Sequence, residues 1–171
     1  SRVKLASAPK LGTVGATTSQ IVEYYDAVGG INASGFEDDA LGTGAKVAGL
    51  TIVDGKLVSG STSGYNSVCG LTEDNVLVVS NSISYLQLKN MNVRCAAQFG
   101  PVIIVNGQPT ISAGSDGGYG LQPRTAIAQR KDGTILMLVI DGRQKKSVGA
   151  TLKNVQDILL KYDAYNAFNL D

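Results

Sequence analysis

Pro123-Arg124-Thr125-Ala126-Ile127-Ala128-Gln129-Arg130-Lys131-Asp132-Gly133-Thr134-Ile135-Leu136-Met137-Leu138-Val139-Ile140-Asp141-Gly142-Arg143 decides how this chain of 171 residues is read. Asp132-Gly133 stands between two apolar runs, and an Asp-Gly pair supplies the positive backbone angles of a tight hairpin turn. Residues 126–129 are therefore expected to pair back onto Ile135–Ile140. Upstream, Pro123 holds the residue before it extended, so Arg124 opens the first strand. At the far end an apolar strand runs straight into Asp141-Gly142-Arg143. A polar loop and a helix come next, not a returning strand.

The same punctuation recurs outward. Val53-Asp54-Gly55-Lys56-Leu57 and Val105-Asn106-Gly107-Gln108 are two more hairpins, and Glu73-Asp74-Asn75 turns residues 68–71 into 76–79. Hairpins this dense imply antiparallel pairing. Three segments carry helical periodicity. Over 152–162, Leu152, Val155, Ile158 and Leu159 share one face, and Thr151 stands at the N-cap. Ser82 is expected to cap 83–90, with Ile83, Leu86 and Met91 facing in, and Thr18 or Ser19 to cap 20–26. Each helix precedes a short strand: 30–33, 93–97 and Ala164–Leu170. The expected fold is α+β: a curved, largely antiparallel, hairpin-rich sheet with helices packed on one side. No linker is visible, so residues 1–171 read as a single domain. Many of the 21 glycines fall in turns and in two loops, 59–67 and 112–122. Such loops often form sites.

Composition excludes several functions. Lys and Arg number 15 against 14 Asp and Glu. That balance gives no general attraction to nucleic acid. No apolar run approaches the ~18 residues of a membrane helix, so no membrane span is expected in this chain. A hydrophobic content of 43% is that of a chain with a packed core. Histidine is absent, which removes the usual nucleophilic triads and most zinc sites. Acid–base chemistry then falls to Asp, Glu, Tyr, Lys or Cys. Cys69 and Cys95 lack metal-ligand spacing; they read as a disulfide, two buried thiols or one reactive thiol. No metal and no cofactor is expected.

Four polar segments stand at strand ends. In Gly30-Ile31-Asn32-Ala33-Ser34-Gly35-Phe36, Asn32 is either a turn former or an amide aimed into a cleft. Arg124 is either an ordinary surface arginine or, beside a glycine-rich loop, a planar fork for two phosphate oxygens. Asp141 ends an apolar strand. Asn169 and Asp171 alternate along the last strand and so face one side, with Leu170 facing the core.

Taken in order, these motifs form a pattern. Gly-Ile-Asn-Ala is followed by Phe99-Gly-Pro-Val-Ile-Ile-Val-Asn-Gly107, then Pro-Arg-Thr-Ala-Ile-Ala, Val-Ile-Asp-Gly-Arg-Gln, Gly-Ala-Thr-Leu and Ala-Phe-Asn-Leu-Asp171. The series resembles the phosphodiester glycosidase family, to which N-acetylglucosamine-1-phosphodiester α-N-acetylglucosaminidase and many bacterial proteins belong. The resemblance spans roughly Gly30 to Asp171, is tightest from Phe99 onward, and is loose over residues 1–29.

The resemblance implies an extracytoplasmic bacterial hydrolase. It would remove a sugar from a sugar-1-phosphodiester on a cell-surface or extracellular glycan. Asp141 and Asp171 would be the catalytic acids. Asn32, Arg124, Thr125, Arg143 and Asn169 would bind the substrate. Arg124 and Asp141 are then expected in one open cleft with Asn32 at its edge. Two departures bear on this. The family usually reads Asn-Ala-Gly-Phe-Phe at the first motif, where this chain has Asn32-Ala33-Ser34-Gly35-Phe36-Glu37. The family also continues past Asn-Leu-Asp with a glycine run and Ser-Ser or Ser-Thr. The domain is therefore expected to be incomplete at its C-terminal end, with a C-terminal fragment of the same polypeptide as partner. The rival reading is a non-catalytic glycan-binding or cell-envelope module on the same scaffold.

Overall fold

The computed structural model describes residues 2–37 and 44–171. In chain order its elements are α1 (Thr18–Tyr24), β1 (Phe36–Glu37), β2 (Lys46–Val47), β3 (Thr51–Val53), β4 (Lys56–Ser59), β5 (Asn66–Thr72), β6 (Leu77–Ile83) and α2 (Tyr85–Asn90). Next come β7 (Val93–Gln98), β8 (Val102–Val105), β9 (Gln108–Pro109), β10 (Arg124–Arg130), β11 (Ile135–Ile140), α3 (Leu152–Lys161) and β12 (Ala164–Leu170). All four expected hairpins form: β3–β4, β5–β6, β8–β9 and β10–β11. At the β10–β11 turn the Asp132 carboxylate accepts from Thr134 N at 2.9 Å, which holds its pKa below the ordinary value.

The fold is α+β, as expected, and the largely antiparallel pairing expected is found: every strand pair among the described residues is antiparallel. The strands divide between two five-stranded sheets, however, in the orders β11–β10–β12–β8–β9 and β4–β3–β7–β5–β6, with β1–β2 as a separate ribbon. Strand alternation explains the layering. On β10, Ile127 points to one core while Ala126 and Ala128 point to another. On β12, Phe168 and Leu170 enter the first and Ala167 the second. The first core lies between the sheets and also takes Cys69, Leu71, Leu77 and Cys95 from the facing sheet. The second lies under α3, through Val155 and Leu159. A third lies under α2, where Leu88 meets Leu50, Ile52 and Ala96. Each sheet thus carries a helix on one side, its outer face. Burying residues as large as Phe168 and Leu88 stabilises the fold by roughly 1.5–3 kcal/mol each.

The three helices begin alike. Thr17, Ser84 and Thr151 accept from the N3 backbone, and Gln20, Gln87 and Asn154 return a side-chain bond to the cap. Thr151 is the expected cap. The other two caps differ from expectation, being Thr17 and Ser84. Capping α2 at Ser84 leaves Ile83 as the last residue of β6, buries Leu88 and exposes Leu86 and Met91. Residues 30–33, expected as a strand, belong to no strand in the described structure. The outer residues of the expected 59–67 loop belong to β4 and β5. Cys69 and Cys95 are two buried thiols on neighbouring strands.

Candidate active site

Topology brings the polar strand ends together. Strand β10 runs antiparallel to both β11 and β12, with Arg124 opposite Ile140 and Thr125 opposite Leu170. The start of the middle strand therefore lies beside the ends of its neighbours. The next residues along those neighbours are Asp141 and Asp171. An open cleft of about 440 Å³ sits there, lined by Asn32, Arg124, Thr125, Asp141, Arg143 and Asp171, among others. Its size is that of a small-ligand site. Six of the seven site residues read from the sequence thus share one cleft.

Asn32 reaches it without a strand of its own. Ile31 and Ala33 pack on the core between the sheets, and Asp171 N donates to Ala33 O at 3.0 Å. The Asn32 amide is oriented from both ends. Thr125 Oγ1 donates to its Oδ1 at 2.6 Å, and its Nδ2 donates to the main-chain oxygen of Asp171. Thr125 is only 4% exposed whereas Asn32 is exposed, so this bond is half-buried, with its donor end in the interior.

Both arginines hold the frame of the cleft. Arg124 Nε donates to Ala150 O at 2.9 Å and Nη2 to Gly120 O at 2.8 Å. These bonds tie the glycine-rich loop and the approach to α3 to the sheet. Burial lowers the pKa of Arg124, and nearby Asp116 opposes the shift. A guanidinium stays charged regardless. Arg143 has a positive φ of 58° and donates through Nε and Nη2 to Gln122 Oε1, at 3.2 and 2.7 Å. Each fork therefore directs its Nε–Nη2 edge to oxygens of the protein itself, Arg124 in the interior and Arg143 at the exposed surface, and Nη1 of each has no hydrogen-bond partner among the described residues.

Two glycines allow the close approach. A Cβ on Gly142 would lie 2.6 Å from Pro123 N, and one on Gly149, at φ 103°, would lie 2.5 Å from Gln122 O. The exposed Asp141 is steadied through its main chain, where Ser147 Oγ donates to its carbonyl at 2.6 Å. Partial burial of the Asp171 carboxyl raises its pKa above the ordinary carboxylate value.

Asn169 is the exception among the expected site residues. It is buried outside the cleft, where Nδ2 donates to Gly100 O at 2.8 Å and Oδ1 has no partner among the described residues. The residues missed by sequence reading are Gln144, which lines the cleft, and Gln122, which accepts from Arg143. Gln144 directly follows the Asp-Gly-Arg motif, so its place was readable. Gln122 carries no comparable signal. No group of three or more His, Cys, Asp or Glu among the described residues could hold a metal ion. None of the described helices is long and apolar enough to cross a membrane.

Residues 25–171 match the family model described as phosphodiester glycosidase. The chain belongs to the phosphodiester glycosidase family. A curated relative is the SPbeta prophage-derived uncharacterized protein YomE of Bacillus subtilis (strain 168). It is 30% identical over 162 residues, which are 91% of this chain and 24% of that protein. Two solved structures share the fold. One is the zebrafish N-acetylglucosamine-1-phosphodiester alpha-N-acetylglucosaminidase catalytic domain, auto-inhibited by its pro-peptide. It has a TM-score of 0.65 and 24% identity, covering 82% of this chain and 49% of that one. The other is a hypothetical protein from Synechocystis, with a TM-score of 0.62 and 15% identity, covering 98% of this chain and 50% of that one. The chain thus spans about half of each solved relative and a quarter of the curated one.

Proposed function

We propose that this chain carries the catalytic groups of a hydrolase that removes a sugar from a sugar-1-phosphodiester. The observation that carries the reading is Asp141 and Asp171 at the ends of β11 and β12, on either side of Arg124. Membership in the phosphodiester glycosidase family supports it.

In the proposed reaction the bond between the anomeric carbon and a phosphate oxygen breaks, and its electron pair leaves with the phosphate. Cationic groups around the cleft stabilise the growing negative charge. Asp171, whose burial keeps its proton to higher pH, donates to the departing oxygen. Asp141, which is exposed, takes the proton of the attacking water, or attacks the sugar to form a glycosyl ester that water then hydrolyses. Asn32, held by Thr125, positions a substrate hydroxyl or amide. In this reading the substrate is a surface glycan met outside the cytoplasm.

The test is release of reducing sugar from α-N-acetylglucosaminyl-1-phosphoglycerol by the full chain, Asp141→Asn and Asp171→Asn. Each variant is expected to lose at least about 100-fold in rate. Turnover unchanged in both variants would remove the catalytic assignment. The buried Arg124 fork, bonded to Ala150 and Gly120 carbonyls of the protein itself, favours the second reading, a glycan-binding module. Binding of the same compound with no release of sugar would select it.

A further inference from the structure

The cleft continues into a feature that the proposed reaction does not use. Beyond Arg143 the chain makes a tight turn. Gln144 N donates to Ser147 O at 3.0 Å and Ser147 N returns a bond to Gln144 O at 3.1 Å. Lys145 and Lys146 fill the two central positions, and both are exposed. The turn is anchored to the site on two sides. Ser147 Oγ bonds the Asp141 carbonyl, and Arg143 grips Gln122. Arg143 and Gln144 themselves line the cleft. The backbone under the two lysines is therefore fixed relative to the site, while their ammonium groups remain in solvent.

Neither ammonium forms an ion pair among the described residues. The ion pairs among the described residues are Arg2–Glu73, Lys46–Glu37 and Lys153–Asp157. Arg124, Arg143, Lys145 and Lys146 appear in none of them. The chain as a whole carries a net charge of only +1. Three cations within four residues at the mouth of one cleft are thus a local concentration, not the overall composition. Like charges held together on a fixed turn repel one another, and an anion lying between them relieves that repulsion.

We propose that the Lys145–Lys146 turn is a second anion subsite, which takes the next phosphate of a substrate whose phosphodiesters repeat. The substrate class is then a glycan or polyol chain linked by phosphodiesters, not an isolated diester. This rests on the sugar-1-phosphodiester reading of the cleft. Arg143 and Lys146 are three Cα steps apart, at most about 11 Å. Successive phosphates joined through a three-carbon polyol fall within that reach. The lysines bind and orient; they take no part in bond breaking.

Two probes test it: α-N-acetylglucosaminyl-1-phosphoglycerol, with one phosphate, and the same compound extended by one glycerol phosphate. Their dissociation constants are measured by calorimetry on the full chain. The proteins are wild type, Lys145→Ala/Lys146→Ala, Lys145→Arg/Lys146→Arg, and a control pair on the other sheet and its helix, Lys56→Ala/Lys89→Ala. Wild type is expected to bind the two-phosphate probe about fivefold more tightly than the one-phosphate probe. The alanine pair should lose that preference and keep its affinity for the one-phosphate probe. The arginine pair and the control should retain the preference. The wild-type preference should also weaken with added salt, whereas the alanine pair has none to lose.

Equal affinity of wild type for the two probes, or an undiminished preference in the alanine pair, overturns the subsite. Turnover is read on the same samples. A lysine-dependent preference without sugar release leaves the subsite standing and defeats the catalytic reading. Sugar release without preference does the reverse. No binding of either probe overturns both.

Discussion

Arg124→Lys keeps a positive charge at the cleft and is expected to damage the protein nonetheless. Arg124 makes two hydrogen bonds in different directions, Nε to Ala150 O and Nη2 to Gly120 O. A lysine ammonium is a single point on a flexible stem and cannot hold both carbonyls in that geometry. Ala150 O keeps a second donor, Gln122 N at 3.1 Å, whereas no second donor to Gly120 O appears among the hydrogen bonds of the described residues. The loss is therefore largely that of the Gly120 bond, with a smaller part from Ala150. Hydrogen bonds from a charged donor contribute about 1.5–3 kcal/mol each, so the substitution should cost about 2–4 kcal/mol in all. In a chain of this size that lowers Tm by roughly 4–16 °C. The assay is urea denaturation followed by circular dichroism, with the slope checked against wild type. Stability within about 0.5 kcal/mol of wild type, the scatter of a surface substitution, would refute the reasoning. It would mean that Arg124 does not clamp the loop and that its fork belongs to a ligand.

The same geometry fixes other outcomes. Thr125→Val removes the donor to Asn32 Oδ1 while keeping the volume. It should cost about 1–3 kcal/mol, and a double-mutant cycle with Asn32→Ala should give a coupling near ~1 kcal/mol, whereas additive effects would break the pairing. Asp171→Asn bears on pH. The folded carboxyl has a raised pKa, so the folded state holds more protons than the unfolded one. Its contribution favours folding at low pH and is lost as pH rises through the folded pKa. Asp171→Asn should flatten that fall, and an unchanged stability–pH curve would contradict the desolvation. Burial pushes the Cys69 thiol up to about 12, so a thiolate-selective reagent at about pH 8 should label it only on unfolding. Prompt labelling of the native protein would place the thiol elsewhere.

The hairpins were legible because Asp54-Gly55, Asn106-Gly107 and Asp132-Gly133 announce turns that local chemistry alone can make. The α3 helix was legible for a similar reason, since Thr151 and the spacing of Leu152, Val155 and Leu159 agree. The division into two sheets was not. Alternation tells that Ile127 and Ala126 face opposite ways, but not that a second sheet lies beyond Ile127. The small Ala126, Ala128 and Ala167 were a partial clue, because a face of alanines leaves room for a helix against the sheet. The true caps of α1 and α2 also had a legible signal. Thr17-x-x-Gln20 and Ser84-x-x-Gln87 both fit the reciprocal capping pattern, which the nearby hydroxyl residues Thr18 and Ser82 do not. At the site, strand-end logic anticipated that Asp141 and Asp171 would stand at one cleft. It erred with Asn169, because a polar residue in an inner strand can equally serve a neighbouring loop, here at Gly100.

The way Asn32 joins the cleft has a consequence for how the protein matures after synthesis. Arg124 and Asp141 are brought together by a hairpin, and β12 then follows α3 into place beside them. Asn32 bridges instead to Thr125, 93 residues away, and to Asp171, 139 residues away. Closing loops that long carries an entropic penalty that no neighbouring turn defrays, so such contacts form late in folding. The two acids and their arginine should therefore assemble before the amide arrives. A refolding chain would recover its sheet spectrum ahead of its ligand affinity, with the interval set by the docking of residues 31–33.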